Sequence, residues 1–269
     1  MQNEPLKTIS AYIPNSVDGA RLYGIGDVHL GNPYSDEKRL LKTIEQIKAD
    51  PQARVIITGD LLEMVTKSSL GEIWAQTMTP FQQVEHAVEL LEPIKDRIIG
   101  GVEGNHEDRA YKELGFLPIQ MIMARLGLSI TDCYAPVGGV LFVTIDSAKH
   151  GKTVYTLYFK HGSGGGKTMG VKANRLNEMK YELMADIYLR AHDHGQIAFT
   201  TQTYIPVPEK KSIAPMRHLH VNSNTFLGWG GYAIKCGYQA GFTGAPAIYL
   251  TTERDGNSVI KHAEVRIST

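Results

Sequence analysis

The sequence predicts an α/β fold built as one domain over residues 1–269, and three observations carry that expectation. Strand-like apolar runs alternate with amphipathic helical patterns from residue 21 to residue 126, as in βαβ units. From Gly127 onward apolar runs follow one another with only glycine-rich turns between them, as in a hairpin-rich sheet. With 269 residues, 42% hydrophobic and 21% charged, the chain is long enough for one large domain of this kind.

Residues 1–20 show no sustained periodicity, carry Pro5, Pro14 and Gly19 as breakers, and read as an irregular or edge segment. Residues 21–25 fit a short buried strand. Residues 36–50 fit a helix, because Leu40, Leu41, Ile44 and Ile47 fall on one face and Pro51 follows as a stop. A second strand, 54–58, runs into Gly59-Asp60 and completes a βαβ unit with an acid at each strand's carboxyl end. Residues 63–80 lack a period, carry Ser68-Ser69, Gly71 and Trp74, and read as an insertion beside the site, a candidate lid.

Helix 81–91 aligns Phe81, Val84, Val88 and Leu91 and is ended by Pro93. The third strand, 97–102, delivers Gly104-Asn105-His106-Glu107, and a helix over 118–126 carries Ile119, Ile122, Met123 and Leu126 on one side. Past Gly127, residues 140–145 and 154–160 read as adjacent strands. The second ends at His161 and opens the glycine-rich loop 162–168. A helix over 174–184 aligns Leu176, Met179, Leu183 and Met184, and strand 187–190 leads into His192-Asp193-His194. From Ala198 short strands dominate, closing with 247–252 and 258–267 around an Asp255-Gly256 turn.

Composition removes several function classes. Apolar runs stop well short of the roughly 20 residues a membrane span needs, and the first ten residues lack the apolar stretch of a signal peptide, so a cytoplasmic protein is expected. Cys133 and Cys236 make neither a disulfide framework nor a four-thiolate zinc site. A formal net charge of zero argues against a general nucleic-acid coating protein. A local excess of base remains: Lys149, Lys152, Lys160, Lys167, Lys172, Arg175 and Lys180 face one acid, Glu178. Both an anion-binding surface and a solvated face of loop and helix fit it.

The strand tips collect Asp27, His29, Asp60, Asn105, His161, His192 and His194. Taken singly each is ordinary: Asp27-Val28-His29 as a turn, Asp60 as a helix cap, Asn105 as a turn residue, His192 and His194 as a polar loop. Their recurrence at successive strand tips favours ligation. A mixed oxygen and nitrogen set of this size is too large for one tetrahedral zinc and suits two ions of the Mn, Fe or Zn type sharing one ligand. Two ions imply a bridging hydroxide. Such a pair, about 3.5–4 Å apart, clamps the oxygens of an in-line displacement at phosphorus.

Other histidines are set aside. His150 rivals His161, whose strand is more continuous and whose loop is richer in glycine. His218 and His220 share one face of a strand, and His86 and His262 read as surface residues. Trp74, Trp229 and Tyr232 suit either core packing or stacking on a base. The stretch from His161 to Lys167-Thr168 fails as a phosphate-binding P-loop because its first glycine position is His161. It still offers backbone N–H groups and Lys167 to a phosphate.

Asp27-Val28-His29, Gly59-Asp60-Leu61-Leu62-Glu63, Gly104-Asn105-His106-Glu107, His161 and Ala191-His192-Asp193-His194 together resemble the calcineurin-like metallophosphoesterases. That family's pattern is D-x-H, G-D-x-x-D, G-N-H-D/E, H and G-H-x-H. The resemblance covers most of the chain, with Glu63 for the commoner aspartate and Ala191 for the commoner glycine. Neither departure removes a ligand. Asp27 to Gly31 looks like the nuclease and phosphodiesterase branches, and the loop after His161 like phage- and prophage-encoded members.

The resemblance implies an α/β (α+β) four-layer sandwich of two mixed β-sheets flanked by helices. It implies that Asp27, His29 and His194 hold one divalent ion, that Asn105, His161 and His192 hold a second, and that Asp60 bridges them. The ions would be transition metals, manganese first, with Fe, Zn or Ni as alternatives. His106 would stabilise the transition state and protonate the leaving group, with Glu107 orienting it. The expected activity is phosphodiester hydrolysis on a nucleotide or single-stranded nucleic acid, with Lys167, Lys172 and Arg175 on its phosphates. A monoesterase or pyrophosphatase on a small phosphate ester is the first alternative. A non-catalytic scaffold on the same sandwich, as in the retromer scaffold subunit, is the alternative from another class.

Overall fold

The computed structural model describes residues 6–17, 19–67, 69, 73–256 and 258–266. Two mixed sheets pack against each other. The first has five strands: β2 (Ala20–Ile25), β3 (Ala53–Ile57) and β4 (Ile98–Gly101) run parallel, and β10 (Ala247–Asp255) and β11 (Ser258–Arg266) add antiparallel beside β2. The second has six, in the order β1 (Lys7–Ser16), β5 (Gly139–Ser147), β6 (Gly151–Lys160), β7 (Ile187–Arg190), β9 (Ser212–Asn222) and β8 (Ala198–Val207).

Strand side chains alternate between faces, and this alternation builds the layers. Leu22, Ile56, Ile248 and Leu250 of the first sheet meet Ile9, Leu141, Val143, Tyr155, Leu157, Leu189 and Val221 of the second in a core between the sheets. The alternate residues Ile25, Val55 and Ile57 face a second core under α1 (Glu37–Ala49), α2 (Pro80–Leu91) and α4 (Pro118–Arg125), which supply Leu40, Ile44, Ile47, Val84, Leu91, Ile119 and Ile122. Beyond the second sheet, α6 (Met169–Glu182) lays Leu176 and Met179 on Val140, Tyr158 and Tyr188. Helix, sheet, sheet and helix make the four layers expected.

The helices start where their caps allow. Asp36 accepts from the N–H of Arg39 at the head of α1, and Thr79 and Gln82 form a capping box around Pro80 at the head of α2. Three residues read as core-facing are exposed: Leu41 and Phe81 lie at the margins of their apolar stripes, and Met184 lies past Glu182, where α6 ends. Among the described residues no helix is long and apolar enough to cross a membrane.

Four expectations about elements are narrowed or corrected. Segment 1–20, read as irregular or edge, holds an edge strand, β1, which pairs in parallel with β5 and sends Ile9 and Ile13 into the inter-sheet core. Pro14 is tolerated because β1 is an edge strand. The short strands expected after Ala198 include a hairpin of 10 and 11 residues, β8 and β9. Helix α6 begins at Met169, five residues before 174, because Met169 and Val171 are exposed and leave no apolar period in the first turn. Finally, α3 (Asn105–Leu114) starts at the ligand motif itself; its polar first turn hid it.

Candidate metal centre

The carboxyl ends of β2, β3, β4, β6 and β7 converge, and the loops that leave them interlock. The N–H groups of Asp27 and Val28 donate to the carbonyls of Gly59 and Asp60, both at 2.9 Å. The His192 N–H donates to Asp27 Oδ2 at 2.8 Å, and Phe226 N and Thr225 Oγ1 both donate to the Asp27 carbonyl. Gly59 has φ +83°, and a Cβ there would stand 2.6 Å from the backbone nitrogen of Gly104, so glycine is required where these two loops touch.

Backbone strain marks the same place. Asp27 (φ 47°), His29 (54°), Asp60 (49°), His192 (73°) and His194 (43°) all adopt left-handed conformations. Asp and His tolerate this region better than most residues, but each such residue still costs on the order of 1–3 kcal/mol. Five of the expected ligands share the conformation, which aims adjacent side chains into one space.

There the side chains fall into groups whose ligand atoms lie within 4.8 Å of one another: Asp27, His29 and His194; Asp60, His161 and His192; and His29, Asp60 and His106. Asp27 Oδ1 is 3.2 Å from His194 Nε2, and His29 Nε2 is 3.2 Å from the same atom. Asp60 Oδ2 is 3.3 Å from His161 Nε2. Asn105 Oδ1 lies 3.1 Å from His161 Nε2 and 2.7 Å from His192 Nδ1.

These groups fit divalent cations. Asp27 Oδ1 is buried without a hydrogen-bond donor, and ring nitrogens confront each other at 3.2–3.3 Å in both the His29–His194 and the His161–His192 pairs. A cation between them satisfies every one of these lone pairs at once. Burial works against charge on Asp60, yet the imidazoles of His161 and His106 hold its carboxyl well below the usual range. Burial likewise opposes charge on His161, but Asp60 pushes it up to about 10. The site attracts positive charge.

The far nitrogens of three imidazoles are also engaged, as ligating histidines require. His29 Nδ1 donates to Glu63 Oε2 at 3.0 Å, His161 Nδ1 to the Thr58 carbonyl at 2.8 Å and His192 Nε2 to the Gly164 carbonyl at 2.8 Å. Glu63, where the family pattern has aspartate, reaches His29 with its extra methylene. Between the paired histidines, Asp193 is buried and bound to Arg190 Nε at 3.0 Å, while Arg190 Nη2 donates to the Ser163 carbonyl. Arg190 thus ties the His161 loop to the His192–His194 loop. Glu63, Arg190, Asp193 and Thr225 escaped sequence reasoning as supports, and only the charge of Arg190 and Asp193 three apart hinted at one pair.

His106 stands in the cavity with Nδ1 donating to the Glu63 carbonyl at 2.5 Å and Nε2 3.9 Å from Asp60 Oδ2. Burial lowers its pKa to about 4. The expectation that Glu107 orients it is corrected. The Glu107 carboxylate is fully buried and accepts the N–H groups of Asp60, Leu62 and Gly104 instead, because α3 turns it beneath the strand-tip loops.

The centre opens into a cavity of about 670 Å³. Of the three bases expected on substrate, Lys172 lines it. Arg175 is held by Asp193 and the Gly165 carbonyl, and Lys167 stands over the Tyr238 ring. Elsewhere in the basic stretch Lys160 pairs with Glu182. Trp229 lines the cavity, Trp74 is exposed outside its lining, and the Tyr232 side chain lies outside the described residues. His218 and His220 are buried in the sheet under α6, His86 meets Glu37, and His150 is not among the cavity residues.

Among solved structures, the chain is similar to vacuolar protein sorting 29 from Cryptosporidium parvum, at 15% identity over 94% of this chain and 100% of that one, TM-score 0.41. It is also similar to wild-type Vps29 complexed with zinc from Entamoeba histolytica (11%, 91% and 98%, 0.38) and to the calcineurin-like phosphoesterase YfkN from Bacillus subtilis (11%, 92% and 90%, 0.38). No curated protein matches. Residues 20–196 match the family described as calcineurin-like phosphoesterase. That span carries every ligand motif named above, and the chain belongs to the calcineurin-like phosphoesterase family.

Proposed function

We propose that the protein is a phosphodiesterase that uses two divalent cations, with Asp27, His29 and His194 holding one, Asn105, His161 and His192 the other, and Asp60 shared. The observation that carries the reading is the placement of Asp60: its carboxylate joins His161 and His192 on one side and His29 on the other. The mixed oxygen and imidazole set favours manganese, with iron, zinc or nickel able to replace it. When bound, two such ions activate water and withdraw charge from the phosphoryl oxygens.

The chain's own residues then do the rest. Glu63, Thr58 and Gly164 orient three of the imidazoles, and Glu107 fixes the loop that carries Asp60. His106, held through Nδ1 on the Glu63 carbonyl, sits in the cavity to meet and protonate the leaving oxygen. Arg109, 3.3 Å from His106 Nδ1, and Lys172 add positive charge to the cavity for a phosphate.

The substrate we favour is a nucleotide ester and not a long strand, since Arg175 is engaged within the protein and Lys167 is not among the cavity residues. A panel of phosphate monoesters, diesters and pyrophosphates, assayed with Mn²⁺, tests the reading. Diesters should turn over fastest. Turnover of monoesters or pyrophosphates alone would assign the site to that chemistry, and turnover of none would leave a binding scaffold.

A further inference from the structure

Much of the cavity wall beyond the candidate ligands comes from residues within 32–34 and 225–241, and the second of these segments lies outside the span matched to the family. The two segments are stitched together. Asp36 N donates to the Phe226 carbonyl at 2.7 Å, Gly228 N donates to the Tyr34 carbonyl at 2.8 Å, and Ser35 bridges Leu227. The Tyr34 ring lies directly on the backbone of Gly230 and Gly231, where a Cβ on either glycine would collide with it. Glycine at both positions leaves room for the ring.

Trp229 is fixed in the same way. Its Nε1–H donates to the Tyr238 carbonyl at 2.7 Å, across α7 (Tyr232–Lys235), which orients the indole. Yet Trp229 keeps 49% of its surface exposed and Tyr34 47%, although both line the cavity. Aromatic rings serving the core are covered, whereas these are held in place and left wet. Cations share the lining: Arg109, Lys172 and Lys235. Fixed aromatic faces beside cations and a metal centre match the two halves of a nucleotide, a planar base and a phosphate.

We infer that Trp229 and Tyr34 form the platform for the base of a single nucleotide whose phosphodiester lies on the metal centre, with Lys172 and Lys235 facing its charge. This rests on the phosphodiesterase reading above. A cavity of about 670 Å³ has the size of a small-ligand site, not of a groove for a polymer.

Two measurements test it separately. The chain has two tryptophans, so in Trp74→Phe the emission comes from Trp229 alone. Titration with thymidine monophosphate should quench that emission saturably, and inorganic phosphate should not. In the second, the nitrophenyl ester of thymidine 5′-monophosphate is compared with nitrophenyl methyl phosphate, which has the same leaving group and no base. Wild type should prefer the thymidine ester about 5- to 150-fold in kcat/KM, as base stacking of ~1–3 kcal/mol implies, and Trp229→Ala should reduce that ratio about fivefold or more. Equal hydrolysis of the two esters, with Trp229 unquenched, would overturn the platform. Hydrolysis of neither ester with saturable quenching would overturn the phosphodiesterase reading and leave the platform standing.

Discussion

Glu107 holds Asp60 by its backbone: the buried carboxylate accepts the Asp60 N–H at 2.8 Å, and the N–H groups of Leu62 and Gly104 complete its coordination at 3.0 and 2.8 Å. One acid thus fixes the ends of two strands relative to each other. Glu107→Ala leaves three buried donors without an acceptor, at about 1–3 kcal/mol each, so a loss of at least about 3 kcal/mol is expected in urea unfolding. A loss below about 1 kcal/mol would mean that the loops are fixed by other contacts.

His106 separates chemistry from ligation. Its Nε2 is 3.9 Å from Asp60 Oδ2, and it groups with Asp60 and His29, so it has the reach of a ligand as well as of an acid. His106→Gln should keep two metals per chain while kcat falls about 10²–10⁴-fold for esters with poor leaving groups, and much less for nitrophenyl esters. Loss of a metal equivalent would make His106 a ligand, and an equal loss for both kinds of ester would remove the acid role.

His220 gives the fold a pH limit unrelated to the metal centre. It is stacked between Tyr188 and Phe199, with ring centroids at 4.8 and 4.6 Å, and burial lowers its pKa from 6.5 to about 4. The unfolded chain therefore takes up a proton between about pH 6.5 and 4 that the folded chain refuses. Stability is whole above pH 6.5 and declines as pH falls toward 4, by about 3 kcal/mol from this residue. His220→Phe should show a shallower decline over that window in thermal unfolding. An unchanged slope would mean that His220 protonates without unfolding.

The candidate ligands were legible because ligation at strand tips would demand particular side chains after each apolar run, and Asp27, Asp60, Asn105, His161 and His192 stand there. The supports were not. Whether Glu107 meets His106 or the Asp60 loop depends on how α3 leaves Gly104, and the Glu63 contact to His29 joins residues 34 apart. Strand β1 was hidden by Pro5 and Pro14, although Ile9 and Ile13 had the spacing of a strand face. The wall at Tyr34 and Trp229 was the least legible part, since its glycines and aromatics follow no period and acquire meaning only when the Tyr34 ring lies on Gly230.

The shared position of Asp60 is the centre of the account, and metal stoichiometry tests it most directly. Wild type and Asp60→Ala, each stripped, reloaded with Mn²⁺ and freed of excess metal, should be compared by elemental analysis beside a folding control by circular dichroism. Removing the shared anion leaves two cations facing each other, so wild type should hold two ions per chain and folded Asp60→Ala one or none. Two ions retained in folded Asp60→Ala, or a single ion in wild type, would contradict it.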